Sequence, residues 1–307
     1  MSNSGRIRRV NFRTHASQIV DLLAKSFDET LLIEGISFER NRKLAEKQSL
    51  LWLLDVFHPI LARFGEVFVW ETQRRIVGTG AIIRVDLSDA NTWILINFAF
   101  SGMQVSKFGV VSRMRTLLRM ALCHSVKHGA TRIQAYVRSD NSPVIRLCLA
   151  EGFLEVEQRF YWLLNNSQIM QIKKTEKELP ALRWTRQTFS LRYLPIQWLL
   201  SYLRGAKKEL FSVYRGTLLL GNVEVLIPSI LDSPCRISID FSENVPTKYR
   251  QSLIAQAISI LPQNTTTTPS VILSLSFSSG SDSWFPWELD CPVPRMKRKL
   301  LSLDIFN

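Results

Sequence analysis

Two runs with strand-like character face each other across a short polar break. Glu66-Val-Phe-Val-Trp-Glu71 and Ile76-Val-Gly-Thr-Gly-Ala-Ile-Ile-Arg-Val85 are joined by Thr72-Gln-Arg-Arg75. Extended apolar runs with a tight polar turn between them predict a β-hairpin. Before it, Arg6-Ile-Arg-Arg-Val-Asn-Phe12 reads as a first strand. Ile19, Leu22, Leu23 and Phe27 recur at helical spacing over residues 16–27, and residues 39–63 carry a longer amphipathic helix that ends before Gly65. After the hairpin, Trp93-Ile-Leu-Ile-Asn-Phe-Ala-Phe100 is apolar at nearly every position, as a strand covered on both faces would be. Val110, Met114, Leu117, Leu118, Ala121, Leu122 and Val126 mark a helix over 110–128 with Gly129 as its stop. A strand over 132–137, a short helix closing at Gly152-Phe153 and a strand over 159–164 follow. The order β-α-α-β-β-β-α-β-α-β over 6–164 predicts an α/β fold, an α+β mixed sheet with helices on both faces.

Residues 165–180 are polar, rich in Lys and Gln, and close on Pro180. Beyond them the pattern returns. Residues 210–227 repeat the hairpin of 66–83, and Arg236-Ile-Ser-Ile-Asp-Phe241 is placed like the Trp93 strand. Tyr249 to Leu261 is placed like the helix after it, Val271 to Phe277 like the strand before Asp140, and Lys299 to Phe306 like the closing strand. An internal duplication accounts for a 307-residue chain better than one large domain does. The expected organisation is a first domain over 1–165, a linker over 166–181 and a second domain over 182–307.

Composition narrows the class. Hydrophobic content of 46% with 21% charged residues suits a soluble globular chain, and no apolar run reaches the roughly 18 residues of a membrane helix. The basic N-terminus has no apolar stretch behind it, so no secretory signal is expected and the cytoplasm is the expected compartment. Cys123, Cys148, Cys235 and Cys291 form no C-x-x-C pair. His124 and His128 share one helix face without a third ligand, which reads as a solvated face and implies no metal. The net charge of +13 favours polyanionic partners. Residues 182–203 interleave Arg with Trp184, Phe189, Tyr193, Trp198 and Tyr202, which reads either as packing or as a surface for single-stranded nucleic acid; the packing reading is preferred.

Val137-Arg-Ser-Asp-Asn141, a strand end, leads into Pro143, Ile145, Arg146, Leu147 and then Gly152-Phe153. This stretch resembles the second cofactor motif of the GNAT superfamily of N-acetyltransferases. The hairpin and the Trp93 strand are similar to that family's hairpin and central strand. The resemblance covers 6–164 well and 182–307 loosely, as in a tandem protein whose second copy has lost its motifs. It implies a GNAT-like acyl-CoA N-acyltransferase fold in two copies, with acetyl-CoA as co-substrate and no metal. The acceptor implied is an amine on a small molecule, peptide or protein, attacking the thioester directly. The cofactor arm would lie along Phe98, Phe100 and Ser101, with Asn141 facing it. The pyrophosphate would rest on amides at a helix start.

Two departures bear on that reading. The family's phosphate loop is Q/R-x-x-G-x-G/A. Counting back from Leu117-Leu118 puts Gly109, Val110, Val111, Ser112, Arg113 and Met114 in the loop without its glycines, whereas anchoring on Gly109 saves one glycine and adds a helical turn. Lys107, Arg113 and Arg115 are candidate phosphate contacts. Cys148 stands where the family places the tyrosine that protonates the leaving thiolate. It is either that acid in shortened form or a small apolar packing residue. Glu66, Glu71, Asp86 and Asp89 are carboxylates near the expected acceptor side, each also readable as a solvated charge. If the loop is dead, the alternative is a non-catalytic binding or scaffold protein of the same fold.

Overall fold

The computed structural model describes residues 5–33, 55–56, 58–84, 91–101, 108–176, 179–187, 207–227, 235–242, 245–261, 271–278 and 296–305. Two compact units divide the chain: Met1–Glu155 with Leu300–Asn307, and Val156–Lys299.

In unit one, β1 (Arg6–Arg9) pairs antiparallel with β2 (Gly65–Thr72). The predicted hairpin follows, with β3 (Arg75–Arg84) antiparallel to β2 through a two-residue turn. Both turn residues, Gln73 and Arg74, are left-handed at φ 49° and 61°, the backbone that matches the twist of flanking strands. β4 (Thr92–Phe100) is antiparallel to β3 and parallel to β5 (Arg132–Arg138). Helix α1 (Phe12–Ile33) begins sooner than its apolar spacing suggested, because Asn11 accepts from the Thr14 N–H. Val10, Leu22, Val69 and Ile76 form one buried cluster. On the other face, α2 (Phe108–Lys127) and α3 (Ser142–Ala150) enclose Phe68, Ile82, Trp93, Leu95, Met114, Leu117 and Leu118. Trp93 is wholly buried, a burial worth on the order of 5 kcal/mol as an upper figure. The Gly-Thr-Gly of β3 has a packing cause: a Cβ at Gly78 would lie 2.5 Å from the Phe100 ring, and one at Gly80 2.8 Å from the Phe98 ring.

The expected long helix over 39–63 lies mostly outside the described residues; its end is a helical turn at His58–Leu61.

In unit two the sheet order is β6 (Leu154–Leu164), β11 (Val271–Ser278), β10 (Cys235–Phe241), β9 (Leu218–Ile227), β8 (Lys207–Arg215), β7 (Arg183–Arg186). The second hairpin and the strands after it fall where the repeat placed them. α4 (Asn166–Glu176) and α5 (Thr247–Ser259) cover one face, with Ile172, Leu253, Ile254 and Ile258 buried among Ile237, Ile239, Leu273 and Trp162. Residues 166–176 are therefore a helix and not the expected linker. Asn165 caps it reciprocally: the Gln168 N–H donates to Asn165 Oδ1 at 3.0 Å and the Asn165 N–H to Gln168 Oε1 at 3.0 Å.

The closing strands do not stay with the helices that precede them. In unit two, β6 runs antiparallel to β11, from Val271↔Leu164 to Ser278↔Glu157. In unit one, the last residues of β12 (Met296–Asp304) lie beside β5, where Ile305 N–H donates to Thr131 O at 2.9 Å and Arg132 Nε meets Asp304 Oδ1 at 2.8 Å.

Candidate active site in unit one

β4 and β5 begin as a parallel pair and then part. Their register runs Thr92↔Arg132, Trp93↔Ile133, Ile94↔Gln134, Leu95↔Ala135, and stops. β4 nevertheless continues on its other side, with Thr79↔Ala99 and Gly78↔Phe100 on β3 and a register shift between Thr79 and Ala81. A bulge there bends and twists the strand just where its partner is lost. Ser101 N–H donates to Val77 O at 2.8 Å, so its amide is turned to the β3 side. By the alternation of a strand, Phe100 then presents its amide and carbonyl to the gap. The Phe100 ring itself is buried, and the Phe98 ring is half-buried 6.3 Å from it. Of the three β4 residues expected along a cofactor arm, Phe98 and Phe100 border the gap and Ser101 does not turn its amide to it.

α2 starts at Phe108, so Gly109 to Met114 are its first turns and not a loop ahead of it. This favours the register anchored on Gly109. Residues 102–107, including Lys107, lie outside the described residues. The first-turn amides of a 20-residue helix have no partners within the helix and carry its positive end. Gly109 stands in the open, since a Cβ on it would touch nothing within 4 Å. Val111 and Ser112 are exposed, whereas Met114 is buried and Val110 packs on the core, which assigns these last two to packing. Arg113 lies 5.8 Å over the Trp70 ring. Arg115 Nε donates to Glu151 Oε1 at 2.7 Å and Arg119 Nε to Glu151 Oε2 at 2.9 Å. Glu151 thus ties α2 to α3. Burial alone would raise its carboxyl; the bonds from Arg119 and Arg115 outweigh that and hold it below the usual range.

Asn141 is the N-cap of α3, accepting from Val144 N–H at 3.4 Å through Oδ1, with Pro143 in the first turn. Just before it, the bond from Arg138, Nε to Oδ1 at 2.9 Å, lowers Asp140's carboxyl. The Asn-to-Gly-Phe stretch therefore has a local account. The strand ends where Asp140 and Asn141 turn the chain, Asn141 starts the helix, and Gly152 at φ 91° lets Phe153 N–H return to Cys148 O. Cys148 is 2% exposed in the core, and burial followed by the nearby Glu151 charge pushes its thiol up to about 12. That position suits packing and not proton delivery.

Two of the carboxylates that could be read as solvated, Glu66 and Glu71, are buried. Glu66 is buried, held by His58 Nε2 at 2.9 Å and Arg9 Nε at 3.3 Å. Glu71 is buried against Arg8 Nη2 at 2.7 Å. His124 is likewise inside, its Nε2 donating to Ala62 O at 2.9 Å and its ring 4.5 Å from that of His128, which corrects the solvated-face reading. Asp86 and Asp89 lie outside the described residues. Sequence reasoning passed over Tyr136, the first β5 residue past the ladder and the one tyrosine of unit one. Its signal was its place two residues before the strand end.

No protein-family model and no curated protein sequence matches the chain. Solved structures do. A GCN5-related N-acetyltransferase from Sphaerobacter thermophilus superposes with a TM-score of 0.56 at 10% identity, over 99% of this chain and 96% of that one. A tandem GNAT protein from the clavulanic acid biosynthesis pathway superposes with a TM-score of 0.52 at 11% identity, over 99% of both chains. At such identities the likeness is one of fold, and it extends the length of the chain. The parted β4–β5 pair, the helix that starts beside it and the repeat in unit two thus belong to a tandem form of the GCN5-related N-acetyltransferase fold.

Proposed function

We propose that the chain transfers an acetyl group from acetyl-CoA to a primary amine, with one cofactor site, in unit one. The parting of β4 from β5 after Leu95 and Ala135 carries this reading. It leaves strand backbone on the β5 side of β4 for an amide-bearing arm to extend the sheet. The α2 start supplies unbonded amides for phosphate. Unit two lacks the parted strand pair among its described residues, although α5 has a helix start of its own. β10 and β11 pair from Cys235↔Val271 to Asp240↔Ser276 without a break, and β9–β10 keeps one register from Leu226↔Arg236 to Gly221↔Phe241.

The thioester supplies an activated acyl carbon. A neutral amine forms the new C–N bond as the C–S bond breaks; its surplus proton must leave, and the departing thiolate must gain one. Glu66 and Glu71 are engaged by cations, so among the described carboxylates neither is assigned as the base, and the amine proton is assigned to solvent. Tyr136, beside the gap, is the group we assign to thiolate protonation, the task the Cys148 position cannot serve.

Calorimetry with acetyl-CoA on the full chain tests this, followed by an amine panel read by thiol release. One site per chain and acceptor-dependent thiol are expected. No binding at millimolar acetyl-CoA would end the reading. Binding without turnover on any amine class would leave the scaffold alternative, which the buried Cys148 favours.

A further inference from the structure

The two faces of the unit two sheet differ in kind. Ile237, Ile239, Leu273, Leu275, Phe160 and Trp162 face the helices. By alternation, the opposite face of the same three strands carries Arg236, Ser238 and Asp240 on β10, Ser274 and Ser276 on β11, and Arg159 and Tyr161 on β6. Register sets them in rows: Ser238 beside Ser274 beside Tyr161, and Asp240 beside Ser276 beside Arg159. The middle of this polar face is not solvated, although Asp240 at its edge is exposed. Tyr161 is 2% exposed, Ser274 0%, Ser238 6% and Ser276 8%.

Buried polar groups need partners, and some have them. Arg159 Nη2 bonds Asp240 Oδ1 and lies 3.3 Å from Glu157 Oε1. Arg236 is different. Its Nε donates to Ser238 Oγ at 3.3 Å, and its Cζ lies 5.7 Å from the centre of the Tyr161 ring. Tyr161 stands on the far side of Ser274, so the Arg236 guanidinium arches over β11. Among the described residues no carboxylate lies within ion-pair distance of it. Beneath the arch, Ser274 Oγ is fully buried with no hydrogen-bond partner among those residues. Among the described residues, a half-buried cation with no carboxylate at ion-pair distance and an orphaned hydroxyl therefore occupy one place, walled by an aromatic ring that Arg298 also approaches to 5.6 Å.

We propose that this face of unit two binds a small carboxylate, held by the Arg236 guanidinium and the Ser274 and Ser238 hydroxyls against the Tyr161 ring. The charge favours a carboxylate over a phosphate. Arg236 and Arg298, the latter 5.6 Å from the same Tyr161 ring, bring two positive charges, which Glu224 beside Ser238 and the Arg159–Asp240–Glu157 group, negative by one, offset among the described residues, so that a monoanion is accepted and a dianion repelled. The guanidinium fork suits two parallel oxygens, and Ser274 donates a third bond. This site is separate from the unit one cleft and does not rest on acetyl transfer.

The test is thermal unfolding of the full chain at fixed ionic strength, with acetate, propionate or benzoate replacing chloride and inorganic phosphate as the other arm. A saturable rise in Tm with the carboxylates is expected. Arg236→Gln should weaken it at least tenfold, and Arg183→Gln, elsewhere in unit two, should leave it unchanged. Should Arg236→Gln fail to fold, Ser274→Ala decides: loss of the orphaned hydroxyl should raise the ligand-free Tm and weaken carboxylate binding several-fold. No rise beyond chloride, a rise with phosphate alone, or undiminished carboxylate binding in a folded variant would overturn the assignment.

Discussion

Leu95 and Ala135 are the last residues to pair across β4 and β5, whereas Asp240 and Ser276, at the ends of the corresponding strands of unit two, still pair. The same order of elements has produced one parted pair and one closed pair. Backbone amides in the two places should differ in protection. Hydrogen exchange is expected to be faster across 96–100 and 136–138 than across 237–240 and 273–276, and to slow in the first two segments when acetyl-CoA is added. Equal protection in the absence of ligand would mean that the gap is not open in solution.

Asn141 carries a structural duty that its motif does not announce. Asn141→Ala removes the cap of α3 and should cost about 1 kcal/mol of stability, besides any loss of cofactor affinity. Asn141→Ser keeps an oxygen for the cap and discards the amide nitrogen. Tm near wild type with weakened acetyl-CoA binding in the serine variant would assign the nitrogen to the cofactor. Unchanged affinity would confine Asn141 to capping.

Cys148 makes an alkaline prediction. Its thiol titrates near 9.0 in the unfolded chain and near 12 in the fold. Between those values the unfolded state loses its proton first, so stability present below pH 9 falls as pH rises toward 12, by roughly 1.4 kcal/mol per pH unit from this group. Cys148→Ala should be less stable at pH 7 yet flatter in Tm from pH 9 upward. A parallel decline in both proteins would show that the thiol is not shielded.

The histidines act at the other end of the scale. Burial lowers His15, His124 and His128 below their ordinary 6.5. They fold as neutral rings, so their contribution is complete above pH 6.5 and is lost as pH falls through that value toward their folded pKa. Tm is expected to drop between pH 7.5 and 5.5. His124→Gln, whose amide can still donate to Ala62 O, should shrink that drop. A Tm independent of pH over this range would contradict the buried, neutral assignment.

Apart from β7, which falls in the stretch read only as packing or a nucleic-acid surface, the strands and turns of both repeats were legible because period and turn chemistry are local. The Gln73-Arg74 turn, the Trp93 strand and the α2 apolar face needed no partner to be recognised. α4 was missed because Asn165 and Gln168 look like linker residues until each is seen to bond the other's amide. The closing strands were found, but their partners were not. The β6 and β12 sequences are both compatible with a sheet, and which strand each pairs with is decided by packing that no local pattern encodes. The fate of Glu66 was hidden for the same reason: a carboxylate in a strand is read as exposed until His58 and Arg9 are brought to it from elsewhere in the chain.

The proposed reaction assigns protonation of the thiolate to Tyr136. A thiolate leaving the acyl carbon needs an acid whose pKa lies near its own. A phenol, near 10 in water, is close to that, and a thiol pushed to about 12 is not. Tyr136 is also placed where the ladder ends, beside the strand backbone that a cofactor arm would follow. Tyr136→Phe keeps the ring and removes the proton. It should lower kcat by roughly 10²-fold with Tm and acetyl-CoA affinity nearly unchanged, and abolish the alkaline limb of the kcat profile. The split between kcat and affinity separates proton delivery from packing, since a structural loss would move Tm and binding together. Wild-type kcat in the phenylalanine variant would leave protonation of the thiolate to water.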